Sequence, residues 1–291
     1  MSEEVLKKTK IQWYPGHMTK ARREMKESVK LIDLVIEIAD ARAVMSSLNP
    51  DINRIANGKV RMMILNKSDL ADEAVNKAWV EYFQGKGIKC ICLDSRKNNS
   101  MNPVRKAIEE VCSDKIERDR KRGIKGRPVR AMVVGIPNVG KSTFINSFSG
   151  KSVAKTGNKP GVTKGKQWIR IDKNCELLDT PGILWSKFED AATGEHLAFI
   201  GSISDEVVEQ TDLCIELVAF LKTKYPGVLS ERFGVDEGLE AGTFLNEVAD
   251  KRKLLKKGSE PDYDRTVRVI IDEFRSGKIG RISIENPEDY Q

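Results

Sequence analysis

Gly135-Ile136-Pro137-Asn138-Val139-Gly140-Lys141-Ser142 decides how this 291-residue chain is read. It follows an apolar, Val-rich run, Val129–Val134, and leads into Thr143–Phe148, a segment that can continue as a helix. The pattern G-x-x-x-x-G-K-[ST] between a strand and a helix marks a phosphate-binding loop. Its glycines let backbone N–H groups turn inward without a side-chain clash, and the helix N-terminus adds favourable partial charge. The expected phosphate contacts are Asn138, Val139, Gly140, Lys141, Ser142 and Thr143. Lys141 supplies positive charge to the β- and γ-phosphates, as a catalytic as well as a binding group, and the Ser142 hydroxyl suits Mg²⁺.

Further along, Asp179-Thr180-Pro181-Gly182 follows the short run Glu176–Leu178. A carboxylate at Asp179 can hold Mg²⁺ through water, and the Gly182 amide can meet a γ-phosphate. Thr163, expected as a catalytic and a metal-binding residue, lies between the two motifs, where a switch segment would bring a hydroxyl to the metal and the γ-phosphate. Upstream, Asn66-Lys67-Ser68-Asp69 closes the run Val60–Leu65. A carboxylate at Asp69 can accept two parallel hydrogen bonds from N1–H and the exocyclic amine of guanine, a donor pair that adenine lacks. Discrimination follows because the wrong base leaves that carboxylate unpaired. Asn66 is expected to brace the loop, and the Lys67 stem to cover the base plane. A P-loop kinase or ATPase is the main alternative, and it would have no use for Asp69.

These motifs sit at the ends of strand-length apolar runs: Leu31–Ala39, Val60–Leu65, Ile88–Leu93 and Val129–Val134. Helix-like stretches, Asp72–Gln84 and Pro103–Val111, separate them. Alternation of this kind predicts an α/β fold with a mostly parallel sheet and helices on both faces. Ligands in such folds sit beyond the carboxyl ends of the strands. After Gly182 the pattern turns helical: Leu213, Leu217, Phe220 and Leu221 share one helix face, and so do Val267, Ile270, Ile271 and Phe274. Two domains are therefore expected, a nucleotide-binding one over 1–190 and a smaller helical one over 191–291.

Net charge is +7, unevenly spread: residues 1–190 carry 37 Lys and Arg against 23 Asp and Glu, and residues 191–291 carry 13 against 20. A basic front half suits a polyanion as readily as it suits Lys-rich solvated faces. The run Ser113–Pro128 reads as a basic connector. Lys251-Arg252-Lys253-Leu254-Leu255-Lys256-Lys257 is a second cluster, able to meet RNA phosphates or simply to face water. Five cysteines without a C-x-x-C pair fit reduced thiols in a cytoplasm rather than a zinc site or a disulfide framework. No apolar run is long enough to span a bilayer, and the first residues read as neither secretory leader nor transit peptide.

The order of these motifs resembles that of circularly permuted GTPases: N-K-x-D first, then Asp94-Ser95-Arg96, the phosphate loop, Thr163 and D-T-P-G. More narrowly, the chain resembles the ribosome biogenesis GTPase A (RbgA/YlqF) family. The resemblance rests on Gln12-Trp13-Tyr14-Pro15-Gly16-His17-Met18, Asp40-Ala41-Arg42, the NKSD and GIPNVGKST stretches, and Phe274-Arg275-Ser276-Gly277-Lys278-Ile279-Gly280-Arg281-Ile282. Ala43-Val44-Met45 and Leu48 depart from the family's usual Ile-Pro and Arg. The resemblance implies a P-loop GTPase domain, GTP as substrate, Mg²⁺, and a base-side loop at Asp94 and Ser95. It also implies His17 as the catalytic group that positions water, since Ile183 stands where Ras-type GTPases carry Gln, and Asn138 as a K⁺ ligand. The implied partner is the precursor of the large ribosomal subunit, with rRNA as the polyanion. The free protein is then expected to be a cytoplasmic monomer without membrane contact.

Overall fold

A computed structural model describes residues 17–97, 101–124, 126–154, 166–185, 188, 190–258 and 260–290, with His17 described by its backbone alone. Thr163 and residues 12–16 lie outside the described residues. The chain divides into two compact units. One is built on a sheet; the other, Asp190–Ile282, is helical.

The sheet unit is organised by strands β1 (Leu34–Asp40), β2 (Val60–Asn66), β3 (Lys89–Leu93), β4 (Val129–Val134), β5 (Gln167–Arg170) and β6 (Cys175–Asp179). Among the described residues they form one sheet in the order β3-β2-β1-β4-β6-β5. Every neighbouring pair is parallel except β5 with β6. β1 is buried along its whole length, as are the last five residues of β2. Strands this apolar require cover on both faces. Helices α1 (His17–Ser28), α2 (Pro50–Ile55), α3 (Glu73–Gly85), α4 (Met101–Val111), α5 (Ser113–Lys121) and α6 (Lys141–Ser149) supply the helical layers of this unit.

Three differences from the sequence reading have physical causes. The first strand starts at Leu34, not Leu31, because Val29–Leu31 forms a 3₁₀ turn that leaves Leu31 exposed. β5 was not expected: it is a four-residue, mostly exposed edge strand with only Ile169 buried. The last residues were expected with the helical domain, yet 283–290 group with the sheet unit. Ile284 donates its amide to the Arg42 carbonyl at 2.6 Å, and the Glu285 carboxylate accepts the Met45 amide at 2.6 Å.

The helical unit contains α7 (Ala191–Phe199), α8 (Gln210–Lys224), α9 (Val228–Phe233), α10 (Ala241–Lys251) and α11 (Tyr263–Arg275). Leu213, Leu217 and Leu221 of α8 are buried, as are Val267, Ile270, Ile271 and Phe274 of α11. Phe220 is half-buried with its ring beside Phe199. The Arg275 guanidinium donates to the carbonyls of Ala198 and Phe199 at 2.7 and 3.1 Å, satisfying backbone acceptors at the end of α7. It also pairs with Asp205 at 2.8 Å. Part of the Phe274–Ile282 motif is thus structural.

Candidate functional site

β1, β2, β4 and β6 run parallel, so their carboxyl ends lie on one edge of the sheet. The register sets Asp40 opposite Asn66, Asn66 opposite Leu93, and Val133 opposite Asp179. The phosphate loop, the NKSD loop, the Asp94–Arg96 loop and Asp179 therefore emerge side by side. That edge is where parallel α/β sheets bind ligands.

The phosphate loop has the conformation its glycines permit. Gly135 (φ +153°) and Gly140 (φ +92°) lie where side chains are disfavoured. A Cβ on Gly135 would meet the Ile38 carbonyl oxygen at 2.5 Å, and one on Gly140 would meet Asn66 Nδ2 at 2.2 Å. Asn138 also has positive φ, +61°. Helix α6 begins at Lys141, directly after Gly140. Phe144 and Phe148 of that helix are buried and stack with ring centroids 5.5 Å apart.

Asn66 joins the base side to the phosphate side. Its Nδ2 donates to the Val139 carbonyl at 2.7 Å, and its Oδ1 accepts the Ser95 amide at 3.1 Å. Three loops are held by one buried amide that is engaged at both its donor and its acceptor end. The Ser147 hydroxyl of α6 donates to the Ser95 carbonyl, adding a second tie. The expected bracing role of Asn66 thus has a direct geometric basis, and Ser95 is brought to the same place.

Asp69 carries two unlike oxygens. Oδ2 pairs with Arg96, whose guanidinium is mostly exposed, while Oδ1 is buried with no hydrogen-bond partner among the described residues. A buried carboxylate oxygen left without a donor is costly. Guanine's N1–H and amine would supply the missing donor, and the exposed Arg96 pair they compete with is worth little. Arg96 also binds Asp94 through its amide and Nε, at 3.1 and 2.9 Å, which closes the base-side loop. Lys67, at φ +57°, places Nζ 2.9 Å from Asp40 Oδ2. Asp40 is fully buried and grips Arg42 at 2.8 Å as well. Burial alone would raise its pKa, but Arg42 and Lys67 hold the carboxyl well below the usual range.

The phosphate side holds two strained charges. Lys141 Nζ is buried and donates to the Ile136 carbonyl at 2.7 Å. Burial pulls its pKa down to about 8, partly offset by Asp179. Burial pushes the Asp179 carboxyl up to about 6, partly offset by Lys141. Asp179 Oδ1 is buried without a hydrogen-bond partner among the described residues. That orphaned oxygen fits a hydrated Mg²⁺, for which Asp179 and Ser142 are the described candidates. Gly182 follows closely: a Cβ there would lie 2.8 Å from Lys141 Nζ and 2.9 Å from Pro137 Cα. The Thr180 hydroxyl donates to the Val133 carbonyl at 2.7 Å, and Asn49 Nδ2 donates to the Ile183 carbonyl at 3.1 Å, so both flanks of Gly182 are fixed.

Sequence reading missed Asp40 as the anchor of Lys67, Arg96 as the partner of Asp69, and Asn49 as the anchor of Ile183. A signal existed for Asp40: a buried apolar strand ending in a carboxylate beside the site edge. Thr163 and the His17 side chain lie outside the described residues.

The charge states give a pH window. Lys141 loses its proton as pH rises through about 8, and Asp179 gains one as pH falls through about 6. A Mg²⁺–nucleotide complex needs both groups charged. Affinity measured with a fluorescent GTP analogue is expected to be highest between these values and to fall on either side. A flat profile from pH 5 to 9 would contradict the assignment of this pair.

Comparison with known proteins agrees with this geometry. A family model described as 50S ribosome-binding GTPase matches residues 130–241. The chain is 46% identical over 280 residues to ribosome biogenesis GTPase A of Bacillus licheniformis, covering 96% of this chain and 99% of that one. It is 34% identical over 281 residues to the protein of the same name from Thermotoga maritima, covering 96% and 95%. Among solved structures, GNP-bound YlqF from T. maritima superposes with a TM-score of 0.63 at 30% identity, covering 92% of this chain and 99% of that one. A GDP-bound YlqF structure superposes with a TM-score of 0.66, also at 30% identity, covering 92% and 100%. The chain therefore belongs to the ribosome biogenesis GTPase A family and is a P-loop GTPase.

Proposed function

We propose that this protein binds and hydrolyses GTP as an assembly factor for the large ribosomal subunit, its nucleotide state governing association with and release from a pre-ribosomal particle. The observation that carries the nucleotide part is the Asn66 bridge, which ties a guanine-reading loop to a phosphate loop in one site. The partner follows from the relatives' names and from the description of the matching family model.

In this reading Asp69 reads the base, Lys67 covers it, and Ser68, Asp94 and Ser95 shape the surrounding loop. Asn138, Val139, Gly140, Lys141, Ser142, Thr143 and Gly182 surround the phosphates. Ser142, Thr163 and, through water, Asp179 would hold Mg²⁺, which would supply charge neutralisation for the phosphates. Asn138 is proposed as a ligand for K⁺. The motif order is that of a circular permutation. A strand order in which β4, carrying the phosphate loop, lies between β1 and β6 is compatible with it.

Ile183 is buried and cannot orient water. The group proposed for that task is His17. Its neighbour Met18 is fully buried and accepts the Leu184 amide on sulfur at 3.4 Å, so the first turn of α1 packs against the segment just after Gly182. His17 would then need only to orient the attacking water, with Lys141 stabilising the transferred charge.

rRNA is the proposed polyanion. In the second basic cluster, Lys251 donates to the Gly234 carbonyl and Arg252 pairs with Glu273, while Lys253, Lys256 and Lys257 are exposed. The last three are the proposed phosphate contacts. Within the Ser113–Pro128 run, Lys115 and Arg127 pair with Asp33 and Asp119, which favours a structural connector there. No helix among the described residues is long and apolar enough to cross a membrane. A cytoplasmic monomer is the proposed free state.

Retention of a large-subunit precursor on the immobilised protein with a non-hydrolysable GTP analogue, but not with GDP, is the expected result; equal retention in both states would contradict nucleotide-governed release. His17→Ala should bind GTP with nearly unchanged affinity and hydrolyse it on the order of 10²-fold more slowly in single turnover. A wild-type rate in that variant would remove His17 from the mechanism.

A further inference from the structure

The segment after the helical unit does not trail away from the sheet. Ser283 Oγ accepts the Asp72 amide at 3.1 Å, three residues beyond Asp69. Ile284 donates to the Arg42 carbonyl at 2.6 Å. The Glu285 side chain, which is buried, accepts the amides of Met45 at 2.6 Å and Ser46 at 3.1 Å, together with the Ser46 hydroxyl. The Glu285 backbone carbonyl accepts Trp79 Nε1 at 3.4 Å, and the Tyr290 ring lies 5.9 Å from the Trp79 ring. One strip of chain thus touches both flanks of the NKSD loop: the Asp40–Ser47 loop on one side and the start of α3 on the other.

The Asp40–Ser47 loop is what holds Lys67. The Ala41 amide donates to the Asn66 carbonyl at 2.9 Å, and Asp40 binds both the Arg42 guanidinium and Lys67 Nζ. The Ser47 hydroxyl accepts the Asp40 amide at 3.3 Å. A buried carboxylate gathering two adjacent amides and a hydroxyl makes charge-assisted hydrogen bonds, stronger than neutral ones. Without Glu285 those donors would be left in a poorly solvated loop, which would be free to shift. Asp40, and with it Lys67, would shift too.

We propose that residues 283–285 form a base-side latch, with Glu285 a positioning residue that fixes the Asp40–Ser47 loop and through it orients Lys67 for guanine. This rests on the nucleotide site described above, and it adds a determinant nearly 220 residues from Lys67 in sequence. Lys67 with Asp69 retains the base, whereas hydrolysis takes place at the phosphates. Loosening the latch therefore shortens the residence of bound nucleotide without slowing the chemical step.

The test is the dissociation of a fluorescently labelled GDP from the full chain, chased by excess unlabelled GDP, together with the KM and saturated single-turnover rate for GTP. Glu285→Ala is expected to speed dissociation roughly fivefold or more, in line with the loss of charge-assisted hydrogen bonds. KM should rise in step while the saturated rate stays at the wild-type level. Glu285→Gln, which keeps an acceptor and perturbs packing least, should give a smaller rise in the same direction. Dissociation within twofold of wild type in both variants would overturn the proposal. So would a saturated rate that falls as much as affinity does, since that is general damage to the fold. Failure of the wild-type chain to bind GDP would strike at the nucleotide site itself and not at the latch.

Discussion

The site depends on a single side-chain amide. Asn66 uses its donor on the phosphate loop and its acceptor on the base-side loop, in a buried position where neither group finds an easy substitute. Its nitrogen lies where a Cβ on Gly140 would have to be, so the glycine and the asparagine require one another. A nucleotide has a base at one end and phosphates at the other, and reading both needs two loops at a fixed separation. A parallel sheet brings those loops to one edge, and Asn66 sets the fine spacing. A buried amide with both ends paired is strong in a low-dielectric setting, and losing either partner leaves an unsatisfied group.

The same logic explains the charges that folding alone would not choose. Lys141 and Asp179 are both buried and both shifted toward neutrality, and Asp179 keeps an oxygen with no hydrogen-bond partner among the described residues. Neither group gains from folding near neutral pH. Asp179, raised in the fold, stabilises only below its ordinary pKa, an effect lost as pH rises through about 6. Lys141, lowered in the fold, stabilises only above its ordinary pKa, an effect lost as pH falls through about 8. Their arrangement makes sense as preorganisation for a metal-bound triphosphate, which restores the electrostatic partners that burial removed.

Much of this was legible in the sequence because its information is local. Gly135–Ser142 spells its own turn, Asp69 follows Asn66 by three positions, and β1, β2 and β4 announce themselves as apolar runs. What stayed hidden depends on distance in sequence or on weak local signal. Glu285 and Met45 are 240 positions apart, and no periodicity links them. Arg96 reaches Asp69 across 27 positions, from a different loop, and nothing in the local pattern pairs the two. Half of helix α1 is charged, and it buries only a sparse stripe that includes Met18, Ala21 and Met25, too thin to stand out as an amphipathic face. β5 is short, mostly exposed and at an edge. Its pairing with β6 supplies its stability, and no hydrophobic pattern of its own reveals it.

Asp69 is proposed to read guanine in the same site where the phosphate loop grips the other end of the nucleotide. Equilibrium binding of fluorescent GDP and xanthosine diphosphate to Asp69→Asn tests it most directly. Xanthine carries a carbonyl where guanine carries the amine, so an amide side chain can donate to it where a carboxylate cannot. The variant is expected to lose roughly 10- to 100-fold in GDP affinity, the worth of a good bidentate pair, and to gain affinity for the xanthine nucleotide. Undiminished GDP binding with no gain for xanthosine diphosphate would contradict it.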